Sequence, residues 1–156
     1  MAIKPIIYNI KELRKPCIPV EKREDISQII QDLKDTLYSL VGKGYALAAN
    51  QINYNKQITL IRIPLNKEHT KFNEMLLINP KIIEKDRKVI YPESCLSFPG
   101  ITVNTDRYVF ITYTYLDKKL GEHTGMAQDL EAIVIQHEIS HLQGRTLFDF
   151  KHRSKR

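Results

Sequence analysis

Two histidines four positions apart, His137 and His141, follow the apolar run Ala132-Ile133-Val134-Ile135. Residues four apart share one face of a helix, and the turns ahead of this pair are too apolar for a solvated face. The spacing predicts a helix over about 126–142, with Leu130, Ile133, Val134, His137 and His141 on one broad side and Gly144 ending it. Buried imidazoles need partners, and a metal ion supplies one. Whatever fold the chain adopts must wrap this helix and bring further donors to it.

The remaining sequence supplies one more helix and several strands. Over 23–41, apolar residues recur at Ile26, Ile29, Ile30, Leu33, Leu37, Leu40 and Val41, the pattern of an amphipathic helix, with Gly42 and Gly44 placed to cap its end. The period then changes. Runs at 58–63, 75–78, 88–91 and 108–116 are β-branched or aromatic and lie between turn formers, so they read as strands. Residues 117–121, Asp-Lys-Lys-Leu-Gly, read as a hairpin turn. Helix, irregular strands and helix, without βαβ alternation, predict a single α+β domain. In it, short, mostly antiparallel sheets surround the histidine helix.

With 42% hydrophobic and 27% charged residues among 156, the chain has the composition of an ordinary single domain, taken here as 1–150. No apolar run is long enough to span a bilayer, and the N-terminus has no secretory pattern, so a cytoplasmic protein without membrane contact is expected. Two cysteines, Cys17 and Cys95, are too few for a disulfide framework. The formal charge of +6 is concentrated partly in a basic tail at 151–156. Such an end reads as solvated, with transient contact to polyanions such as the ribosome as the smaller expectation. A monomer is expected.

His137-Glu138-Ile139-Ser140-His141 is an HExxH pattern, in which two imidazoles converge on an ion with a glutamate beside them. A catalytic ion of this kind takes a third protein ligand and keeps one position open. After His141 the chain offers only His152 and no Glu, so Cys95, in the bend Pro92-Glu93-Ser94-Cys95-Leu96-Ser97-Phe98-Pro99, is the better candidate. HExxH alone would also suit a zinc peptidase.

Three segments in order, Gly44-Tyr45-Ala46-Leu47-Ala48-Ala49-Asn50-Gln51, Glu93-Ser94-Cys95-Leu96-Ser97 and Gln136-His137-Glu138-Ile139-Ser140-His141-Leu142-Gln143-Gly144, resemble the motifs GxGLAAxQ, EGCLS and QHExDHLxG of peptide deformylases. The resemblance covers nearly the whole chain. It implies a hydrolase that removes the formyl group from the N-terminal methionine of nascent polypeptides, with one divalent ion held by Cys95, His137 and His141. That ion would be ferrous iron in the cell, replaceable by zinc, nickel or cobalt. It further implies Glu138 as the acid and base, and Gln51 with the Leu96 N–H as donors to the oxyanion. Tyr45 and Ala46 would pair with the peptide, while Leu47, Tyr91, Leu130, Ile133, Val134 and His137 would receive the methionine side chain. Glu93 and Arg107 would support the ligands.

The motifs are matched with three departures: Ala46 and Ser94 stand where the family has glycine, and Ser140 where it has aspartate. None removes a ligand, the acid/base or an oxyanion donor. They nevertheless motivate an alternative, a degenerate member that keeps its metal for binding only. The likeness is to a compact form, since residues 151–156 are too few for the further C-terminal helix of many members.

Overall fold

The structure, a computed structural model, describes residues 2–154. Five strands, β1 (Ala46–Ala48), β2 (Ile58–Pro64), β3 (Phe72–Ser94), β4 (Thr102–Leu116) and β5 (Glu122–Gln128), form one sheet in that order, and each neighbouring pair is antiparallel. Three helices accompany it: the short α1 (Ile10–Leu13), α2 (Ser27–Tyr38) and α3 (Asp129–Leu142). This is the expected α+β domain.

Alternation along β2 explains why the sheet is covered on both sides. Successive strand residues point to opposite faces, and Ile58 and Leu60 enter one core while Ile61 and Ile63 enter another. The first core is closed by Ile29, Ile30, Leu33 and Leu37 of α2. The second is closed by Ala132, Ile135 and Ile139 of α3. Each fully buried leucine, such as Leu33 or Leu60, contributes roughly 1.5–3 kcal/mol by leaving water.

Both long helices are shorter than their sequence patterns. The Asp25 side chain accepts from the Ser27 N–H and hydroxyl, which fixes a turn where helix was expected from residue 23. Beyond Tyr38 the chain turns through Leu40 and Lys43, and Gly42 takes φ +84° in that turn rather than capping the helix directly. At the other helix, Met126, Ala127 and Gln128 pair with Thr112, Ile111 and Phe110 of β4. Ladder pairing across the Asp117–Gly121 turn outweighs their helical spacing, so α3 begins at Asp129.

The expected strands 75–78 and 88–91 are parts of one long β3, and 108–116 is the second half of β4. β3 tolerates Pro80 because the register with β4 shifts between Ile78 and Lys81, where a ladder donor is dispensable. Its pairing with β2 spans only Phe72–Ile78, and β5 covers only Phe110–Leu116 of β4, so Lys88–Ser94 of β3 and Thr102–Tyr108 of β4 form a two-stranded ribbon. That ribbon carries Glu93 and Cys95 back toward α3.

At the end of α3, Gly144 has φ +76°, and a Cβ there would lie 2.5 Å from the Arg14 carbonyl oxygen. Only glycine meets both conditions. The segment after α3 stays attached to β4, through the Thr105–Lys151 bridge and a 2.7 Å bond from His152 N–H to the Asn104 carbonyl. Packing thus continues past the expected domain boundary at 150. Of the expected basic tail, Lys155 and Arg156 lie outside the described residues.

Candidate metal centre

His137 and His141 project from successive turns of α3, their rings 4.8 Å apart and nearly perpendicular. Their Nε2 atoms are 3.1 Å apart, and the Cys95 sulfur lies 3.3 Å from His141 Nε2. The three potential ligand atoms all fall within 4.8 Å of one another. A tetrahedral ion with bonds of about 2.0–2.3 Å separates its ligand atoms by roughly 3.3–3.8 Å. One sulfur and two imidazole nitrogens, buried and so spaced, fit a single divalent ion.

Glu93 sets the orientation of this cluster. Its Oε1 lies 2.7 Å from His137 Nδ1. An ionised carboxylate can only accept, so Nδ1 carries a hydrogen and Nε2 is the nitrogen turned to Cys95 and His141. Arg107 donates to both Glu93 oxygens, at 2.5 Å from Nε and 3.0 Å from Nη2, and the Thr105 hydroxyl donates to Oε2. Arg107 Nη1 also reaches Ser140 Oγ at 3.1 Å, while that hydroxyl donates to the Gln136 carbonyl. No such anchor reaches His141. Its Nδ1 is buried without a partner among the described residues, so packing orients this ring.

Burial and charge act in opposite directions here. Burial alone would raise Glu93, but hydrogen bonds from His137 and Arg107 prevail and hold it at about 2. Burial also disfavours a charged His137, yet the Cys95 sulfur and Glu93 beside it raise that group to about 10. An ion taking Nε2 must therefore displace a proton. Burial lifts Glu138 to about 7 and, with the positive charges nearby, keeps His141 well below the ordinary histidine range.

The cluster lies in a cleft of about 770 Å³, which is lined by Tyr45, Ala46, Gln51, Tyr91, Glu93, Cys95, Leu96, Leu130, Ile133, Val134, His137 and Glu138. Most of the residues expected at the site are therefore brought together. Leu47 is not among them: 0% exposed, its side chain fills the α2 core because β1 alternation turns it away from the cleft. β1 has β2 on one side only, so its other edge is open among the described residues. Gly44 allows the close approach of Leu96, since a Cβ there would meet the leucine Cγ at 2.8 Å.

Gln51 Nε2 donates to Ser97 Oγ at 3.1 Å and lies 3.6 Å from the Cys95 sulfur, and Oε1 accepts from the Ala48 N–H at 2.9 Å. Three bonds fix the amide, with the weak contact to sulfur the one free to redirect. The Leu96 N–H has no hydrogen-bond partner among the described residues. Ser97, Thr105 and Thr59 escape sequence reasoning. Only Ser97 carries a signal, through its place beside Cys95. Cys17 is buried away from the cleft and burial pushes its thiol up to about 11, consistent with an inert group.

Comparison with known proteins agrees with this geometry. The family model for polypeptide deformylase matches residues 3–156. Peptide deformylase 1 of Shewanella oneidensis is 36% identical over 149 residues, 95% of this chain and 85% of that protein. A crystal structure of a peptide deformylase from Legionella pneumophila superposes with a TM-score of 0.84 at 29% identity, covering 97% of this chain and 87% of that one. The Thermotoga maritima peptide deformylase gives 0.85 at 26% identity, covering 98% and 100%. A family match over nearly the entire sequence, on the same fold, means that this chain belongs to the peptide deformylase family.

Proposed function

We propose that this protein is a metal-dependent hydrolase that removes the formyl group from the N-terminal methionine of newly made polypeptides and releases formate. The observation that supports this reading is the convergence of Cys95, His137 and His141 at the floor of a cleft lined by Cys95 and His137 together with Glu138 and Gln51. In this reading the three ligands hold one divalent ion, ferrous iron in the cell, with zinc, nickel or cobalt as substitutes. When bound there, such an ion would supply Lewis acidity to the formyl oxygen and to a water.

The chain's own groups do the rest. Glu138 takes the proton from the attacking water and returns it to the departing amine. Gln51 Nε2 and the Leu96 N–H donate to the oxygen on which negative charge develops. Tyr91, Leu130, Ile133 and Val134 offer an apolar wall to the methionine side chain. The open edge of β1 at Tyr45 and Ala46 receives the peptide as an added strand, and Glu93 with Arg107 keeps His137 oriented.

A soluble monomer in the cytoplasm, touching the ribosome transiently, fits the charge of +6. Among the described residues no helix is long and apolar enough to cross a membrane. The test is formate release from formyl-Met-Ala-Ser by metal-loaded protein prepared without oxygen. Release of formate with the peptide bonds left intact is expected. Cleavage between residues would instead mark a peptidase, and a fully loaded protein releasing no formate would be a binding-only member.

A further inference from the structure

Thr59 lies on β2 opposite Ala48 of β1, on the strand face shared by Ile61 and Ile63 that looks toward α3. It is 0% exposed, and its Oγ1 is 3.3 Å from Glu138 Oε2 and 3.1 Å from the Leu47 carbonyl oxygen. Among the described residues no other group hydrogen-bonds the Glu138 carboxylate. A hydroxyl carries one hydrogen, so Thr59 cannot donate to both acceptors at once. The two acceptors share that one hydrogen, and among the described residues Thr59 Oγ1 is the one donor within reach of Glu138 Oε2, whereas the Leu47 carbonyl belongs to the strand backbone.

We propose that Thr59 is a positioning residue for Glu138: it ties down Oε2 and leaves Oε1 as the oxygen that takes and returns the proton. No bond of the threonine is made or broken. Its O–H turns about the Cβ–Oγ1 bond, and the Leu47 carbonyl is the alternative acceptor when Oε2 moves away. Thr59 thereby joins two parts of the site, α3 and the strand whose open edge faces the incoming peptide. The inference deepens the deformylase reading and rests on it for its kinetic consequence.

The test compares metal-loaded wild-type, Thr59→Val and Thr59→Ser proteins with formyl-Met-Ala-Ser. Valine keeps the shape and removes the hydroxyl; serine restores it. A group misplaced by about 1 Å loses up to roughly a hundredfold, so Thr59→Val is expected to lower kcat by about tenfold to a hundredfold. KM and metal content should stay within about twofold, and Thr59→Ser should recover to within about threefold of wild type. A crystal structure of loaded Thr59→Val should show the Glu138 side chain displaced, a readout independent of turnover. Unchanged kcat per bound metal, an undisplaced Glu138, or a serine variant as slow as the valine one would each overturn the proposal, leaving Thr59 as a strand tie to Leu47. Should the valine variant not fold, Thr59→Ala is measured in the same way with the same expectations. A wild-type protein that releases no formate would count against the deformylase reading, while the position of Glu138 in the variant crystal would still decide the role of Thr59.

Discussion

The Glu93 carboxylate receives His137 Nδ1, Arg107 and the Thr105 hydroxyl together, and that single residue decides which imidazole nitrogen faces the cluster. Ligand, support and acid/base roles therefore separate cleanly under substitution. Cys95→Ala, His137→Ala and His141→Ala each leave two donors, and elemental analysis should find the ion lost. Glu93→Gln keeps all three ligands but weakens the anchor, so metal affinity should fall roughly tenfold to a hundredfold in competition with a chelator. Glu138→Gln should retain full metal while formate release drops about a hundredfold or more. A Glu138 variant with wild-type turnover and verified metal would remove that residue from the mechanism.

At the scale of elements, legibility follows the range of the forces. The histidine helix and α2 are both readable because their apolar spacing is local, but only in α2 does the core lie where that spacing points. In the histidine helix the expected face, Leu130, Ile133, Val134 and His137, lines the cleft, and Ala132, Ile135 and Ile139 enter the core. β5, with the sequence Glu-His-Thr-Gly-Met-Ala-Gln, has no β-branched run and exists because β4 pairs with it. β3 is unreadable as one strand because Pro80 and the charged stretch 84–88 look like interruptions. The clustering of Cys95, His137 and His141 is legible through motif order, whereas Thr59 meets Glu138 from 79 positions away with no motif to announce it.

Asp32 of α2 belongs to the same illegible class: it is 0% exposed, receiving the Tyr54 hydroxyl at 2.5 Å and the Gln28 amide at 2.8 Å. Burial would raise this carboxyl, but the two donors outweigh it and hold it below the ordinary aspartate range. A depressed folded-state value means stability that is present above the unfolded pKa of about 4 and is lost as pH falls through the folded value. Asp32→Asn should cost about 1.5–3 kcal/mol at neutral pH. Denaturant midpoints for wild type and variant should then draw together below about pH 4. A gap that persists undiminished in acid would mean that the charge at Asp32 is not what stabilises α2.

Taken whole, the molecule builds its site by bringing distant segments around one cleft and the ion pair behind it. The first motif lies before β2, Glu93 lies near the end of the ribbon, His137 and His141 sit on α3, and the segment after α3 folds back across β4. There the Phe150 ring covers the Arg107 guanidinium at 4.1 Å, and His152 Nδ1 lies 2.7 Å from Asp106 on the same strand. Arg107 is buried with Glu93, so this cover excludes water from the pair that orients His137 and keeps its electrostatic attraction strong. Phe150→Ala would remove a cation–π contact of roughly 0.5–2 kcal/mol and let solvent reach the guanidinium. The expected result is faster release of metal to a chelator, by about twofold to thirtyfold from that range, with Cys95, His137 and His141 all intact. Phe150→Tyr keeps an aromatic face over the cation and should release metal at the wild-type rate. If instead both variants release metal no faster than wild type, Arg107 and Glu93 hold His137 without help from the segment after α3.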